Sequence, residues 1–514
     1  MDKVIKKIVI VGGGSAGWIT AGTIAAQYAK QPNSLFEITL IESPQVSSIG
    51  VGEGTWPSIR NTLERIGINE SAFLQCCDAS FKQGSKFIGW NNGRKDDYYY
   101  HPFMTPKGYG HVDLYSHWQT YHKEQAFADA INIQSHVCQA GLAPKQLSTP
   151  DYAAVTNYGY HLDAKKFAAL LKEHCINTLG VKHLYDHIDS IESDNTGDIH
   201  KLQTKEHGCI HGDLFVDCTG HLSLLLGKHF EIPLINKENI LFNNSALAVQ
   251  VPYESLNENI ASATLSTAQE AGWIWDIGLT SRRGVGYTYS DKYITDEKAE
   301  QALRRYLKCS ISDELSQSLA VKKISFTPGY REKFWHKNCV AIGMSSGFIE
   351  PLEASALAMI ELSSSMLGEE LPTTRAHMDI IAKRYNKRFT YRWERVIEFL
   401  KLHYVLSQRT DSNYWLDNKK DSSIPERLKS LLSLWQYQSP SRYDFIQNEE
   451  IFPSASYQYI LYGMGFKTQQ RVTPSSRQNT PALAKLFDEV KTQQAQYLAA
   501  LPANRTLLSQ LSSK

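Results

Sequence analysis

The metal-binding patterns of cysteine and histidine are missing from this chain. Its 514 residues include 8 cysteines and 17 histidines, but none of the spacings C-x-x-C, H-E-x-x-H or the EF-hand loop. The cysteines are scattered, apart from the adjacent Cys76 and Cys77. We therefore expect no metal site, and reduced thiols rather than a disulfide framework.

An excess of charge and a long apolar run are absent too. Lys and Arg number 54 against 53 Asp and Glu, which gives a formal net charge of +1. This balance offers no support for nucleic-acid binding, and no polybasic segment favours a membrane surface. No run of about 18 apolar residues occurs that would span a bilayer. The first strand-like run starts too near Met1 for a signal peptide, which predicts a cytoplasmic protein.

The start of the chain does contain a glycine loop between two strand-like runs. Gly12, Gly14 and Gly17 follow the first run with the spacing of a dinucleotide-binding βαβ unit. In such a unit the glycines allow a tight turn, the approach of a pyrophosphate and close packing of helix on strand. The second run stops at Glu42, whose carboxylate would bind a ribose 2′-hydroxyl and repel a 2′-phosphate. FAD or NAD is therefore favoured over NADP. The residues expected to bind the cofactor are Gly12, Gly14, Ser15, Ala16, Gly17, Glu42, Gly52 and Gly343.

The same letters permit other interpretations. Residues 13–17 and 343–347 both spell G-x-S-x-G after a strand-like run, as the nucleophile elbow of a hydrolase does. A methyltransferase also uses a glycine loop before an acidic strand end. Glu42 is unexplained by an elbow, and the spacing of the glycines suits a dinucleotide better.

The pattern along the chain predicts a mixed α/β (α+β) fold with an FAD-binding dinucleotide core. Residues 240–330 alternate like an antiparallel sheet, and a buried strand-like run returns at 340–343. The dinucleotide core is therefore interrupted by an inserted sheet. Residues 372–405 are helical in pattern and lack Gly and Pro. We expect one region over 1–365 and a mainly helical region over 366–514 that covers the substrate.

Twelve short segments together resemble one known family. They are residues 12–17, 50–55, 81–87, 101–103, 160–164, 217–220, 272–277, 286–290, 351–353, 409–415, 451–457 and 462–465. The chain resembles the flavin-dependent tryptophan halogenases over most of its length. The most specific element is W-x-W-x-I at residues 273–277, where Gly278 stands in place of the family's following proline.

The resemblance implies a reaction and its partners. Reduced FAD, supplied by a separate NAD(P)H-dependent flavin reductase, would react with dioxygen, and a bound chloride or bromide would become hypohalous acid. That species would reach a lysine beside an electron-rich aromatic substrate of the indole type, and the ring would attack the halogen. The sequence leaves the oligomeric state open, a homodimer included.

Lys82 and Glu353 match the family's catalytic lysine and glutamate. Lys86 competes with Lys82, since i, i+4 spacing would put both on one face of a helix, and exposed helix lysines are the plainer interpretation. Glu350 is the fallback for Glu353. A capping role for Glu353, at a helix starting near Ala354, would be compatible with catalysis. Ala354 stands where the family usually has serine.

The remaining site residues follow from the same resemblance. Ser355 and Ala356 would bind the halide through their backbone N–H groups, and Ala356, often glycine in the family, would crowd chloride. Trp273 and Trp275 would form a wall between flavin and substrate, although a core aromatic pair is the plainer interpretation. His101 and Phe103 would sandwich the aromatic ring of the substrate, although an isolated His is more often a core residue.

Two other classes of function stay open. One is a flavin-dependent aromatic monooxygenase, against which the tryptophan wall argues. The other is a non-catalytic flavin-binding protein, which would not need Lys82 or Glu353. Because the segments that grip the amino acid end of tryptophan do not align residue by residue, we expect indole or a substituted indole to be preferred over free tryptophan.

Overall fold

A computed structural model describes residues 3–28, 36–44, 52–94, 96–255, 257–447, 450–469 and 480–512. Gly50 and Val51 of the second glycine cluster lie outside these residues. Among the described helices, none combines the length and the apolar character needed to cross a bilayer.

The strands of the described residues are numbered in chain order. They are β1 Lys7–Val11, β2 Glu37–Glu42, β3 Gly52–Gly54, β4 Ser80–Lys82, β5 Gly84–Ile88, β6 Tyr98–Pro102, β7 Gly159–Asp163, β8 Lys182–Tyr185, β9 Ile188–Ser193, β10 Ile199–Thr204, β11 Cys209–His211, β12 Leu214–Asp217, β13 Leu234–Asn236, β14 Ser245–Pro252, β15 Thr264–Gln269, β16 Gly272–Gly278, β17 Arg282–Tyr289, β18 Lys322–Ser325, β19 Gly329–Arg331, β20 Trp335–His336, β21 Cys339–Ala341 and β22 Gly347–Phe348.

The α-helices are numbered in the same way. They are α1 Ser15–Tyr28, α2 Ser58–Ile66, α3 Glu70–Cys76, α4 Leu114–Tyr121, α5 Phe127–Ile131, α6 Gln134–Gln139, α7 Ala164–Asn177, α8 Asp296–Leu307, α9 Asp313–Ser318, α10 Ser355–Glu369, α11 Arg375–Leu406, α12 Asn413–Asp417, α13 Glu426–Trp435, α14 Ser454–Gly463, α15 Thr480–Ala500 and α16 Asn504–Ser512.

The chain forms two compact units whose segments alternate along the sequence. The first unit comprises residues 1–79, 162–237 and 326–393, and the second comprises 80–161, 238–325 and 394–514. The predicted division instead cuts the chain once, at residue 365, which lies inside α10. That division stays a prediction.

The first unit contains the sheet of the dinucleotide core. Its strands lie in the order β20-β21-β12-β1-β2-β8, and all neighbours are parallel except β20 and β21. The β1 run is buried beyond its first residue, as expected for a parallel strand covered on both faces. Helix α1 connects β1 to β2 and packs against α10 and α7. The predicted mixed α/β fold with an interrupted parallel core is confirmed.

The second unit contains the inserted sheet. Its order is β18-β14-β17-β16-β15-β5-β6, antiparallel except between β15 and β5. Helix α8 lies in the same stretch of chain, and Thr295 caps it through its side-chain oxygen. The strands over 245–289 pair in antiparallel fashion, which confirms the antiparallel sheet predicted for this stretch.

One local prediction is wrong. Lys82 and Lys86 do not share a helix face, because Lys82 ends β4 and Lys86 lies in β5. Gly84 begins β5 with φ +153°, and a Cβ there would lie 2.5 Å from the His101 carbonyl oxygen. Pairing with β7 and with β6 therefore overrides the helical spacing of the two lysines.

Candidate functional site

The glycine loop leaves a space next to the start of α1. A Cβ on Gly12, whose φ is +120°, would lie 2.2 Å from the Cys218 carbonyl oxygen, and one on Gly17 would lie 1.9 Å from the Gly12 carbonyl oxygen. These two glycines are therefore required by the packing of the protein's own backbone. A Cβ on Gly14 would have no atom of a neighbouring described residue within 4 Å. Gly14 therefore borders open space at a helix N-terminus, as a pyrophosphate requires.

Glu42 is held in place by two side chains that the sequence interpretation missed. Lys172 Nζ donates to Glu42 Oε2 at 2.8 Å, and His183 Nε2 lies 2.9 Å from the same oxygen. Burial and the Lys172 charge lower the pKa of His183, so a neutral ring donates through Nε2. The side chain of Glu42 lies beside Gly13, where a Cβ would come within 2.3 Å of it. The carboxylate is thus fixed next to the glycine loop.

Two further predicted cofactor residues lie in the same unit. Gly343 has φ +74°, and a Cβ on it would lie 2.7 Å from the Ala16 Cβ. The turn after β21 therefore approaches the start of α1, with Ser15 as the first helical residue. Gly52 begins β3 and is buried. With the open space at Gly14, these residues fit a dinucleotide such as FAD.

Lys82 is a buried lysine. Only 1% of its surface is exposed, which contradicts the interpretation as an exposed helix lysine. Its Nζ lies 5.3 Å from the centre of the Phe103 ring. Lys86 lies instead against two other rings, with Nζ 4.6 Å from the centre of Tyr98 and 5.4 Å from that of Tyr100. Burial lowers the pKa of Lys86.

A histidine that the sequence interpretation left aside lies near Lys82. In the β4–β7 ladder Lys82 faces Gly159, and His161 faces Ser80. Lys82 and His161 therefore share one face of the pair, and the missing side chain at Gly159 leaves room for the lysine. His161 Nε2 lies 2.8 Å from Thr264 Oγ1. Burial, and then the Lys82 charge, lower the pKa of His161 well below its usual value, so the ring is neutral.

The predicted ring-binding pair lies at the end of β6. His101 is buried, with its ring centre 5.7 Å from that of Phe399 and 6.1 Å from that of Tyr459. Phe103 is half-buried, and its backbone N–H donates to the Gln83 carbonyl oxygen at 3.1 Å. The structure thus brings Phe103 to Lys82 and surrounds His101 with aromatic rings.

The two tryptophans of the predicted wall are neighbours on β16. The ring centres of Trp273 and Trp275 are 6.3 Å apart, with the planes inclined by 64°. Both are buried. A Cβ on Gly286, in the neighbouring strand, would lie 2.1 Å from the Trp275 ring. Gly286 therefore makes the space that this indole fills.

Glu353 lies in a strained turn before α10. Its φ is 63°, and that of Ala354 is 55°, so two successive residues with side chains are left-handed. Such residues cost about 1–3 kcal/mol each and occur most often at functional sites. The predicted capping role for Glu353 is wrong, because α10 begins at Ser355 and its N-cap residue is Ala354. The Glu353 side chain is buried.

The predicted halide residues form the first turn of α10. Ser355 and Ala356 are its first two residues; Ser355 is buried and Ala356 is exposed. The first N–H groups of a helix have no partner within the helix. Ala354 has no side-chain oxygen with which to cap them, so the partial positive charge of the helix start is available to an anion.

Comparisons with known proteins identify the family to which the chain is similar. The model of the tryptophan halogenase family matches residues 7–479. Tryptophan 6-halogenase SttH of Streptomyces toxytricini is 32% identical over 519 residues, which cover 97% of this chain and 96% of that protein. The 7-chloro-L-tryptophan 6-halogenase KtzR of Kutzneria sp. (strain 744) is 31% identical over 525 residues, covering 98% of this chain and 99% of that one.

A solved structure is similar over the same length. The crystal structure of a tryptophan halogenase from Shewanella frigidimarina NCIMB 400 has a TM-score of 0.95 and 48% identity, covering 99% of this chain and 98% of that one. With the match of the family model, this similarity shows that the chain belongs to the tryptophan halogenase family and is a flavin-dependent halogenase.

Proposed function

We propose that this enzyme halogenates an electron-rich aromatic ring of the indole type, with hypohalous acid that Lys82 receives. The observation that carries the proposal is the burial of Lys82 against Phe103, in the compact unit that also contains the Trp273–Trp275 pair. Burying a lysine ammonium costs free energy, so a buried lysine beside an aromatic ring is a candidate functional group. The relatives SttH and KtzR are halogenases named for tryptophan, whose ring is an indole.

The residues near the glycine loop are proposed to hold FAD. The open space at Gly14 and the start of α1 would accept the pyrophosphate, and Glu42 Oε1 would accept a hydrogen bond from the ribose, since Lys172 and His183 both contact Oε2. When bound, reduced FAD would supply two of the four electrons that reduce dioxygen, and the halide would supply the other two as it becomes hypohalous acid. A separate NAD(P)H-dependent flavin reductase would provide the reduced FAD.

Each of the remaining site residues has a proposed role in the reaction. The N–H groups of Ser355 and Ala356 would hold chloride or bromide. Lys82 would bind hypohalous acid by a hydrogen bond or as a haloamine, a role arginine could not share because it keeps its proton. Glu353 would orient the lysine or accept the ring proton. His101 and Phe103 would hold the ring, and Trp273 with Trp275 would keep it from the flavin.

The test is mass spectrometry of a panel of indoles and free tryptophan, each incubated with flavin reductase, FAD, NADH and either chloride or bromide. We expect products heavier by one halogen less one hydrogen. Indole should react better than tryptophan, and bromide better than chloride, because Ala356 narrows the halide site and bromide is easier to desolvate and oxidise. Hydroxylated products without halogen would instead identify a monooxygenase. Flavin binding without any product would identify a non-catalytic protein.

A further inference from the structure

The turn before α10 has a conformation that needs support from outside. Among the described residues, Glu353 and Ala354 are the adjacent pair of non-glycine residues with positive φ. Both carry a Cβ, which opposes the left-handed region. A hydrogen bond within the turn, from the Ala354 N–H to the Pro351 carbonyl oxygen at 3.0 Å, accounts for part of its stability.

A second hydrogen bond comes from a residue far away in the sequence. The indole N–H of Trp56 donates to the Glu353 carbonyl oxygen at 2.7 Å. This oxygen belongs to the peptide group that joins the two left-handed residues. Turning this peptide group to relieve the strain would break this hydrogen bond, which costs free energy.

Trp56 is itself fixed relative to α10. It stands two residues before α2, and the Ile59 N–H donates to its carbonyl oxygen at 3.2 Å. Two hydroxyls of α2 reach the buried carboxyl group of Glu361 on α10: Ser58 Oγ at 3.2 Å and Thr62 Oγ1 at 2.6 Å. The start of α2 is therefore tied to the same helix whose first turn Trp56 supports.

We propose that Trp56 is the positioning residue of the halide site. Its N–H keeps the Glu353–Ala354 turn left-handed, and this turn aims the backbone N–H groups of Ser355 and Ala356 at one point. The halide is held by those groups, so its affinity depends on Trp56 although the indole need not touch it. This inference rests on the proposed function, because it assumes the halide site at the start of α10.

The variant Trp56→Phe tests the inference. It keeps a ring but loses the N–H, so the turn can relax and the N–H groups diverge. We expect the KM for bromide to rise about tenfold or more, with kcat at saturating bromide and the Kd for FAD within about twofold of wild type. The matched control is Trp335→Phe, since Trp335 Nε1 also donates to the carbonyl oxygen of a left-handed residue, Lys337, at 3.2 Å. The control should leave the KM for bromide unchanged.

Rescue separates positioning from general stability. Glycine adopts the left-handed region without a Cβ penalty, so Ala354→Gly added to Trp56→Phe should lower the KM for bromide again. If Trp56→Phe does not fold, the analogue 3-benzothienylalanine at position 56 keeps the shape and removes only the N–H. An unchanged KM for bromide, an equal loss of FAD affinity, or an equal effect of Trp335→Phe would overturn the inference. Absence of halogenated product from wild type would instead refute the proposed function.

Discussion

At the scale of single residues, Gly14 has a role that separates binding from folding. Among the described residues, no neighbouring side chain or strand lies within 4 Å of a Cβ placed on Gly14, and its φ is not in the left-handed region. Gly14→Val should therefore fold with an unchanged unfolding midpoint but place its methyl groups where the pyrophosphate must lie. We expect FAD binding at least about fivefold weaker, or about 1 kcal/mol, by fluorescence quenching. An affinity within about twofold of wild type would contradict the assignment of the loop.

Lys172 should matter for the adenosine end of FAD alone. Lys172→Met removes the ammonium group that fixes Glu42 Oε2, so the ribose would lose a positioned acceptor. FAD affinity should fall several-fold, as expected for a charge-assisted hydrogen bond, whereas FMN, which lacks adenosine, should bind as before. The control is Lys166→Met on the same helix, whose Nζ lies 3.8 Å from Asp78. Equal losses for FAD and FMN would show a general structural effect.

The sequence predicts the glycine loop because the motif depends on the spacing of nearby residues, namely Gly12, Gly14, Gly17 and the strand-end Glu42. Their supports could not be found in this way. Lys172 and His183 are 130 and 141 residues from Glu42. Only the parallel pairing of β2 with β8 and the packing of α7 bring them there. A local motif therefore predicts the glycine loop and the carboxylate at the strand end, and not the residues that fix that carboxylate.

At the scale of secondary-structure elements, Lys82 and Lys86 show the limit of periodicity. Spacing of i, i+4 fits a helix face, yet i and i+4 also share a face of a strand. The partners decide here, since β4 pairs with β7 and β5 pairs with β6. A helix cap depends on local sequence instead: Asp163 caps α7, and its side chain accepts from the Lys165 and Lys166 N–H groups.

The contact between α2 and α10 predicts a pH effect on stability. Burial raises the pKa of Glu361 to about 8, from an unfolded value of 4.5. Between these values the folded protein holds a proton that the unfolded chain has lost. Stability therefore falls as pH rises, by about 1.4 kcal/mol per unit, until the folded pKa is passed.

Glu361→Gln removes this dependence, because glutamine keeps an oxygen for Ser58 or Thr62 and does not ionise. The free energy of unfolding of wild type relative to Glu361→Gln, from urea titrations, should decrease between about pH 5 and 8. A difference that is independent of pH would mean that the carboxyl group is ionised in the fold.

At the scale of the whole molecule, the segments of the two units alternate along the sequence. Each unit is assembled from three stretches of chain, so no single linker marks a border.

The proposed chemistry also predicts how the whole protein behaves with NADH. If a separate reductase supplies reduced FAD, the purified protein with FAD should consume no NADH on its own, as followed at the NADH absorption band. Rapid NADH oxidation by this chain alone would favour a self-sufficient monooxygenase.

Two lysine variants test directly whether Lys82 passes the halogen to the substrate, as proposed. Halogenated indole is measured by mass spectrometry, and free hypohalous acid by a trap, in wild type, Lys82→Ala and Lys86→Ala. Lys86 is the matched control because it lies four residues away, against Tyr98 and Tyr100. We predict that Lys82→Ala forms hypohalous acid without halogenated indole, and that Lys86→Ala makes product. Undiminished product from Lys82→Ala would contradict the proposed role of Lys82.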